Sequence, residues 1–191
     1  MAYIPQENKH MFLSDIKIRD LLEKGDLFIT PKPAEKDIRP NAIRVHLCHT
    51  LIKYDDQTVD PGKDIEIKHS TIDLTRQPYT LKPGEFILGS TIESIKTPRN
   101  LCGFLDGRST LARLGLNIHI TAAVTDGLYE DARTITLEIQ NAGNMHLVLS
   151  HKMAIGSLLF AELDQPVGQS THGRYKGQKG ATVANLKDQL T

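Results

Sequence analysis

The chain has 191 residues, which fits one domain with short terminal additions and allows a sizeable core without disulfide or metal staples. Its 23 basic and 23 acidic residues cancel, and only 5% of the residues are aromatic, with no Trp. This composition argues against a basic duplex-binding protein and against an aromatic platform for single-stranded nucleic acid, so we expect no nucleic-acid partner.

The first part of the chain predicts a polar, flexible start followed by one amphipathic helix. Residues 1–10 are mostly polar. Ser14 is suited to cap the helix that follows, and Gly25 to end it. The residues predicted for its buried face are Ile18, Leu21 and Leu22.

The rest of the chain predicts short strands separated by turns. Alternating apolar residues indicate a half-buried strand at Ile43, Val45 and Leu47. Further strands are expected at Asp64–Lys68, Phe86–Glu93, Asn117–Thr121, Thr134–Gln140, His146–Leu149 and Ala154–Phe160. Turn sequences stand at Asp60-Pro-Gly62, Lys82-Pro-Gly84 and Asn141-Ala-Gly143. The pattern predicts a mainly β sandwich or barrel with few helices, in a single domain over residues 1–191.

The block Asp106–Gly115 combines glycine, arginine and two adjacent hydroxyls, which suit an anion-binding site. A second short helix is predicted at Ser109–Leu114, with Ser109 as its cap and free N–H groups at its start. Ser109 and Arg113 would share a face of that helix. The alternative is an ordinary capped helix with solvated arginines.

Glu138 lies in a second candidate segment. Strand alternation places Thr134, Thr136, Glu138 and Gln140 on one face and Ile135, Leu137 and Ile139 on the other. The alternative is a solvent-facing carboxylate on a half-exposed strand.

The tail, residues 166–191, is a third candidate. Its segment Gly173–Gly180 sets three cations, a tyrosine and a glutamine among glycines, which could close over a phosphorylated ligand. The alternative is a disordered basic terminus.

Several motifs are missing from the sequence. There is no His-x-Glu box with Pro-Cys-x-x-Cys, as zinc nucleobase deaminases require, and no Walker loop. Cys48 and Cys102 have neither disulfide nor zinc spacing. No segment has the composition of a signal peptide or the apolar length of a membrane span. We therefore expect no zinc, no membrane partner and a reducing, cytoplasmic location.

Together these segments closely resemble the dCTP deaminases of the dCTP deaminase / dUTPase family, from about Leu13 to the end of the chain. The motif Gly-Arg-Ser-Thr-Leu-Ala-Arg followed downstream by a Leu-Glu strand is a specific pairing. The segments that carry the resemblance are Leu81–Ile95, Leu105–Leu116, His119–Ala122, Ile135–Ile139, Ile155–Phe160 and Tyr175–Gly180.

The resemblance implies a distorted jelly-roll or β-barrel subunit of the dUTPase-like type with a few short helices. It implies a homotrimer with active sites between neighbouring chains, and dCTP or dUTP as ligand, with dTTP as a candidate inhibitor. Mg²⁺ is expected on the triphosphate, with no metal ion at the reacting carbon.

The resemblance also implies roles for residues. Glu138 would act as general base on the attacking water and then return the proton, a role that calls for a carboxylate whose pKa is raised by burial. Ser109 and Arg113 would hold the water and the base edge, and the carbonyl of Ala122 would orient the amine. The implied substrate-binding residues are Arg108, Ser109 and Thr110 at the phosphates, Asp126 at the deoxyribose, Arg174, Tyr175 and Gln178 in the closing tail, and Arg113, Thr136, Leu137 and Glu138 at the remaining contacts.

The chain departs from the family pattern before Glu138. The loop Ala123–Arg133 is two residues longer and more acidic than usual, and the His-Arg pair of strict deaminases is absent. This favours somewhat the members that also release pyrophosphate. Four functions therefore stay open: deamination of dCTP to dUTP, the bifunctional reaction to dUMP, a dUTPase, and a nucleotide-sensing trimer without turnover.

Overall fold

The computed structural model describes residues 12–126, 131–168 and 174–187. The predicted flexible start, residues 1–10, lies outside the described residues, and so do parts of the predicted tail and of the long loop before Glu138.

The predicted amphipathic helix is present as α1 (Asp15–Lys24). The Ser14 hydroxyl accepts a hydrogen bond from the Lys17 backbone N–H at 3.5 Å, and Gly25 ends the helix in the left-handed conformation (φ 76°). Ile18 and Leu21 are buried, and Leu22 packs against the same core. Both helix ends and the buried face are confirmed.

Strands dominate the described residues. The strands are β1 (Phe28–Thr30), β2 (Ile38–Arg39), β3 (Ala42–His46), β4 (Thr50–Tyr54), β5 (His69–Asp73), β6 (Tyr79–Leu81), β7 (Phe86–Lys96), β8 (Leu101–Gly107), β9 (Leu116–Asn117), β10 (Val124–Thr125), β11 (Arg133–Asn141), β12 (Leu147–Leu149) and β13 (Ala154–Glu162). A 3-10 turn (Glu35–Asp37) and the short helix α2 (Ser109–Ala112) complete the elements.

The strands form two main antiparallel sheets. One has the order β5-β4-β7-β11-β9 with β1 also on β7, the other the order β10-β8-β13-β3-β2, and β6 and β12 pair separately. Ile87 and Leu137 of the first sheet and Val45 and Leu158 of the second belong to one buried cluster. The sheets therefore enclose a shared core. The mainly β prediction with few short helices is confirmed, and the described strands form no closed barrel.

A β-bulge shapes the sheet beside Glu138. Thr134 pairs with Ser94 but Thr136 pairs with Ser90, so that three residues of β7 oppose Ile135 alone. The Thr91 hydroxyl accepts the Ile135 N–H at 3.0 Å and replaces the missing ladder bond. The bulge breaks the regular alternation, because Thr134 is buried while Ile135 is only partly buried.

Two predicted strands differ from the structure. Asp64–Lys68 is not a strand, and the chain first pairs with β4 at His69–Asp73. Apolar alternation misleads here because β5 is an edge strand with mostly exposed side chains, which leaves its position to main-chain pairing. Asn117–Thr121 is reduced to Leu116–Asn117, because the residues after Asn117 leave the ladder toward Glu138.

Strand β8 was missed because it contains two glycines, which lower strand propensity. The structure explains them. A Cβ on Gly103 would lie 2.4 Å from the Thr125 hydroxyl oxygen, and Gly107 pairs with Gly156 of β13. Close approach of neighbouring strands therefore requires glycine here.

Candidate active site

A cavity of about 450 Å³ opens on the face of the first sheet where β4, β7 and β11 lie side by side. It has the volume of a small-molecule site. The predicted site residues that line it are Ala122, Asp126, Thr136, Glu138, Tyr175 and Gln178. Residues separated by up to 56 positions in the sequence are thus brought to one cavity.

Glu138 is held at this cavity by the segment that follows β9. Its carboxylate Oε2 accepts the Ile120 backbone N–H at 2.8 Å, and its own N–H donates to the Ile118 carbonyl at 3.0 Å. One carboxylate oxygen is therefore fixed by the main chain two residues before Ala122. This hydrogen bond fixes the orientation of the carboxylate relative to a ligand bound in the cavity.

The C-terminal tail docks on β11 of its own chain. The Gln178 side-chain amide donates to the Thr134 carbonyl at 2.7 Å and to the Thr136 hydroxyl at 3.2 Å. The Thr182 hydroxyl donates to the Gln178 Oε1 at 3.0 Å, and the Gly180 N–H donates to the Thr134 hydroxyl at 2.9 Å. The tail thus forms part of the wall of the cavity that Glu138 lines.

The other lining residues were not predicted as site residues, and they include Tyr54, Phe86 and Arg133. The Tyr54 and Phe86 rings stack with centroids 6.3 Å apart and an interplanar angle of 25°. Burial raises the pKa of the Tyr54 phenol. Arg133 is only 7% exposed, which is rare for an arginine. The aromatic pair carries no local sequence signal, since β4 and β7 become neighbours only in the folded sheet.

The Arg-Ser-Thr block is not among the described residues that line this cavity. Arg108 donates to the Ala154 carbonyl at 2.8 Å, across to β13. Ser109, Thr110 and Arg113 are exposed, and the Arg113 guanidinium donates to the Ser109 carbonyl at 3.1 Å. The predicted proximity of Ser109 and Arg113 is present, but neither residue is among the described ones that line the cavity.

The helix prediction at this block needs two corrections. Helix α2 ends at Ala112 rather than Leu114, because the chain turns toward Gly115, which has a φ of 88°. Arg108, with extended backbone and no side-chain cap bond, occupies the cap position. Ser109 is thus the first helical residue rather than the cap.

Two other predicted binding residues lie outside the cavity. The Leu137 side chain is fully buried in the core, so that only its main chain could meet a ligand. Arg174 lines a second cavity of about 500 Å³ together with Lys176 and His69. The two cavities share Tyr175, Gln178 and Thr182.

Within the described ranges, no group of three or more His, Cys, Asp or Glu side chains is arranged to hold a metal ion. In that same part of the chain, none of the helices has the length and apolar character needed to cross a bilayer.

Comparisons with known proteins agree with this architecture. A family model described as dCTP deaminase-like matches residues 12–163. A dCTP deaminase of Buchnera aphidicola subsp. Acyrthosiphon pisum is 38% identical over 195 positions, covering 92% of this chain and 98% of the relative. A dUMP-forming dCTP deaminase of Dictyoglomus thermophilum is 33% identical over 192 positions, covering 92% and 95%.

A solved structure shares the fold. The crystal structure of 2'-deoxycytidine 5'-triphosphate deaminase from Agrobacterium tumefaciens matches with a TM-score of 0.65 at 16% identity. The match covers 81% of this chain and 49% of that chain, so that this chain spans about half its length. The family model and the relatives, which cover most of the sequence, establish that the chain belongs to the dCTP deaminase-like family.

Proposed function

We propose that this protein hydrolyses dCTP to dUTP and ammonia in pyrimidine deoxynucleotide metabolism, with Glu138 as general acid and base and without zinc. The observation that carries the proposal is the main-chain anchor of the Glu138 carboxylate at a cavity of nucleotide-binding size, in a chain of this family. The relatives named above as dCTP deaminases support the choice of substrate.

The reaction needs one group that accepts and returns protons. Water adds to C4 of the cytosine while Glu138 takes its proton and passes it to N3. The carboxylate then takes the proton of the new C4 hydroxyl and delivers it to the amine, which leaves as ammonia while the C4 carbonyl forms. A single carboxylate can serve both steps because it is regenerated after each transfer. The Ala122 carbonyl, beside the cavity, is the proposed acceptor that orients the amine.

Ser109 and Arg113 are assigned to the same reaction but in a neighbouring subunit. Both side chains are exposed and, within one chain, neither lies among the described residues that line the Glu138 cavity. A homotrimer in which the Arg108–Arg113 block of one subunit completes the cavity of the next would bring them together. The proposed contacts to the phosphates of Mg²⁺-bound dCTP are Arg108, Thr110 and the tail residue Arg174.

The bifunctional reaction to dUMP, ammonia and pyrophosphate is the second candidate. Asp126 lines the same cavity as Glu138, so a second carboxylate is present to activate water at the α-phosphorus. A relative is a dUMP-forming dCTP deaminase. The free thiols Cys48 and Cys102 are in keeping with the cytoplasm as the site of either reaction.

Incubation with dCTP and Mg²⁺, followed by chromatography of the nucleotides and assays for ammonia and pyrophosphate, tests the proposal. Ammonia without pyrophosphate supports deamination alone, and both products support the bifunctional reaction. Pyrophosphate from dUTP without ammonia from dCTP indicates a dUTPase, and tight nucleotide binding without any product indicates a sensor.

Glu138→Gln keeps the shape of the side chain but removes its proton-accepting carboxylate. We expect ammonia release to fall by about 100-fold or more, because general acid–base catalysis contributes that much. Nucleotide binding should be largely retained, since Gln can still accept the Ile120 N–H. Ammonia release at the wild-type rate would show that Glu138 is not the base.

A further inference from the structure

The tail crosses the cavity from one strand to another. On one side Gln178 and Gly180 bind to β11, as described above, and the Thr182 hydroxyl lies 3.4 Å from the Thr136 hydroxyl of the same strand. On the other side the Ala184 backbone N–H donates to the Tyr54 hydroxyl of β4 at 3.1 Å. Because β7 lies between β4 and β11 in the sheet, the tail spans the cavity like a strap.

The Tyr54 hydroxyl is held in a fixed place. The ring is half-buried and stacks on Phe86, which itself lines the cavity. In the next residue of the tail the Asn185 N–H donates to the Tyr175 hydroxyl at 3.0 Å. Two successive N–H groups of the tail thus end on tyrosine hydroxyls, but only Tyr54 belongs to the sheet, whereas Tyr175 belongs to the tail itself.

We infer that Tyr54 is a positioning residue that latches the C-terminal tail over the cavity of its own subunit and thereby retains the nucleotide. The inference rests on the proposed function for the identity of the nucleotide. The latch itself depends only on the contacts of Tyr54 with the tail and with Phe86. Its hydroxyl accepts the Ala184 N–H and has no assigned role in proton transfer, so its loss should weaken binding rather than slow the chemical step.

The kinetic test uses Tyr54→Phe and Ala184→Pro, which remove the same hydrogen bond from opposite sides. Each should raise KM for Mg²⁺-dCTP by about 2- to 10-fold, the range of one net hydrogen bond, with kcat within about twofold. The KM of the double variant should be no higher than that of the single variant with the higher KM, because both changes remove the same hydrogen bond. Thr75→Val is the control, since its hydroxyl donates to the Asp73 carboxylate in an exposed turn outside both cavities.

A second readout does not depend on turnover. Arg174, Lys176 and Lys179 are exposed trypsin sites in the tail. Without nucleotide, Tyr54→Phe and Ala184→Pro should be cleaved at these sites several-fold faster than the wild type and Thr75→Val, as measured by intact mass. The melting temperature should be nearly unchanged, because the latch is at the surface.

The two readouts separate the failure of the latch from the failure of the proposed function. Faster tail cleavage in both variants supports the latch even if the wild-type protein does not release ammonia from dCTP, in which case only the proposed function fails. Cleavage at the wild-type rate in both variants overturns the latch, whatever the substrate. A fall in kcat with an unchanged KM also overturns the positioning role.

Discussion

At the scale of single residues, Gly115 shows how main-chain geometry positions the Arg108–Arg113 block. It has a φ of 88°, and a Cβ there would lie 2.3 Å from the Gly143 nitrogen. The Ala142 N–H donates to the Gly115 carbonyl at 2.8 Å, so this contact joins the end of α2 to the turn after β11. Only glycine satisfies both the left-handed backbone and the close approach.

Gly115→Ala should therefore destabilise the fold more than Gly84→Ala, its matched control. Gly84 also has a positive φ (76°), but nothing lies within 4 Å of its Cβ position. We expect Gly84→Ala to cost about 1–2 kcal/mol for the left-handed backbone alone. Gly115→Ala should cost clearly more, because the main chain of two loops must move apart. Equal losses in urea denaturation would contradict the importance of the contact.

At the scale of elements, Glu85 ties β4, β6 and the start of β7 together. It accepts hydrogen bonds from Lys53 at 2.6 Å, from the Tyr79 hydroxyl at 2.5 Å and from the Lys82 N–H at 2.9 Å. Burial opposes ionisation of this carboxylate, but the three donors outweigh it and lower its pKa below the ordinary value of 4.5. This network fixes β4, which carries Tyr54, beside β7, which carries Phe86.

Glu85→Gln should lower the free energy of unfolding by about 1–2 kcal/mol at pH 7, since hydrogen bonds to a charged group are lost. Because the pKa of Glu85 is lower in the folded state, its ionised form stabilises the fold above pH 4.5. That stabilisation is lost as the pH falls through the folded-state pKa. The difference between wild type and variant should thus shrink in acid.

Urea denaturation of both proteins between pH 3 and pH 7 measures this difference. The exposed carboxylate Glu66 provides the control, because Glu66→Gln should change stability little at any pH. A constant difference between wild type and Glu85→Gln across this range would show that the ionised network does not contribute.

At the scale of the whole molecule, we propose that residues of a second subunit complete the site. Glu138 lies at the cavity, whereas Ser109 and Arg113 are exposed elsewhere on the subunit surface. If neighbouring subunits complete each other's cavities, two inactive variants can restore activity when they assemble together.

Glu138→Gln and Arg113→Ala should each be nearly inactive alone. Co-expressed in equal amounts, they should recover about a quarter of the wild-type ammonia release, because random assembly unites an intact Glu138 with an intact Arg113 at one interface in four. Sedimentation analysis should show a trimer for each variant. Two variants that assemble normally and recover no activity would place both residues in one subunit's site.

Features that depend only on residues close together in the chain could be predicted from the amino-acid sequence. The helix α1 with its cap and stop, the long strands β7, β11 and β13, and the family motifs around Glu138 could all be predicted, because each is recorded in neighbouring residues. The tail differs, because its composition allows either closure over a phosphorylated ligand or a disordered basic terminus, and only the family resemblance implies closure.

Strand pairing and the lining of the cavity could not be predicted, because they depend on contacts between residues that are distant in the chain. The bulge opposite Ile135, the glycines of β8 and the edge strand β5 follow from how strands pair, which side-chain alternation does not encode. Tyr54 and Phe86 became cavity residues only when β4 and β7 met. Ser109 and Arg113 likewise lie outside the described lining of the Glu138 cavity, although their block leads from β8 of one sheet into β9 of the other. No local pattern records which residues line the cavity, because the lining depends on how strands and tail pack together in the folded chain.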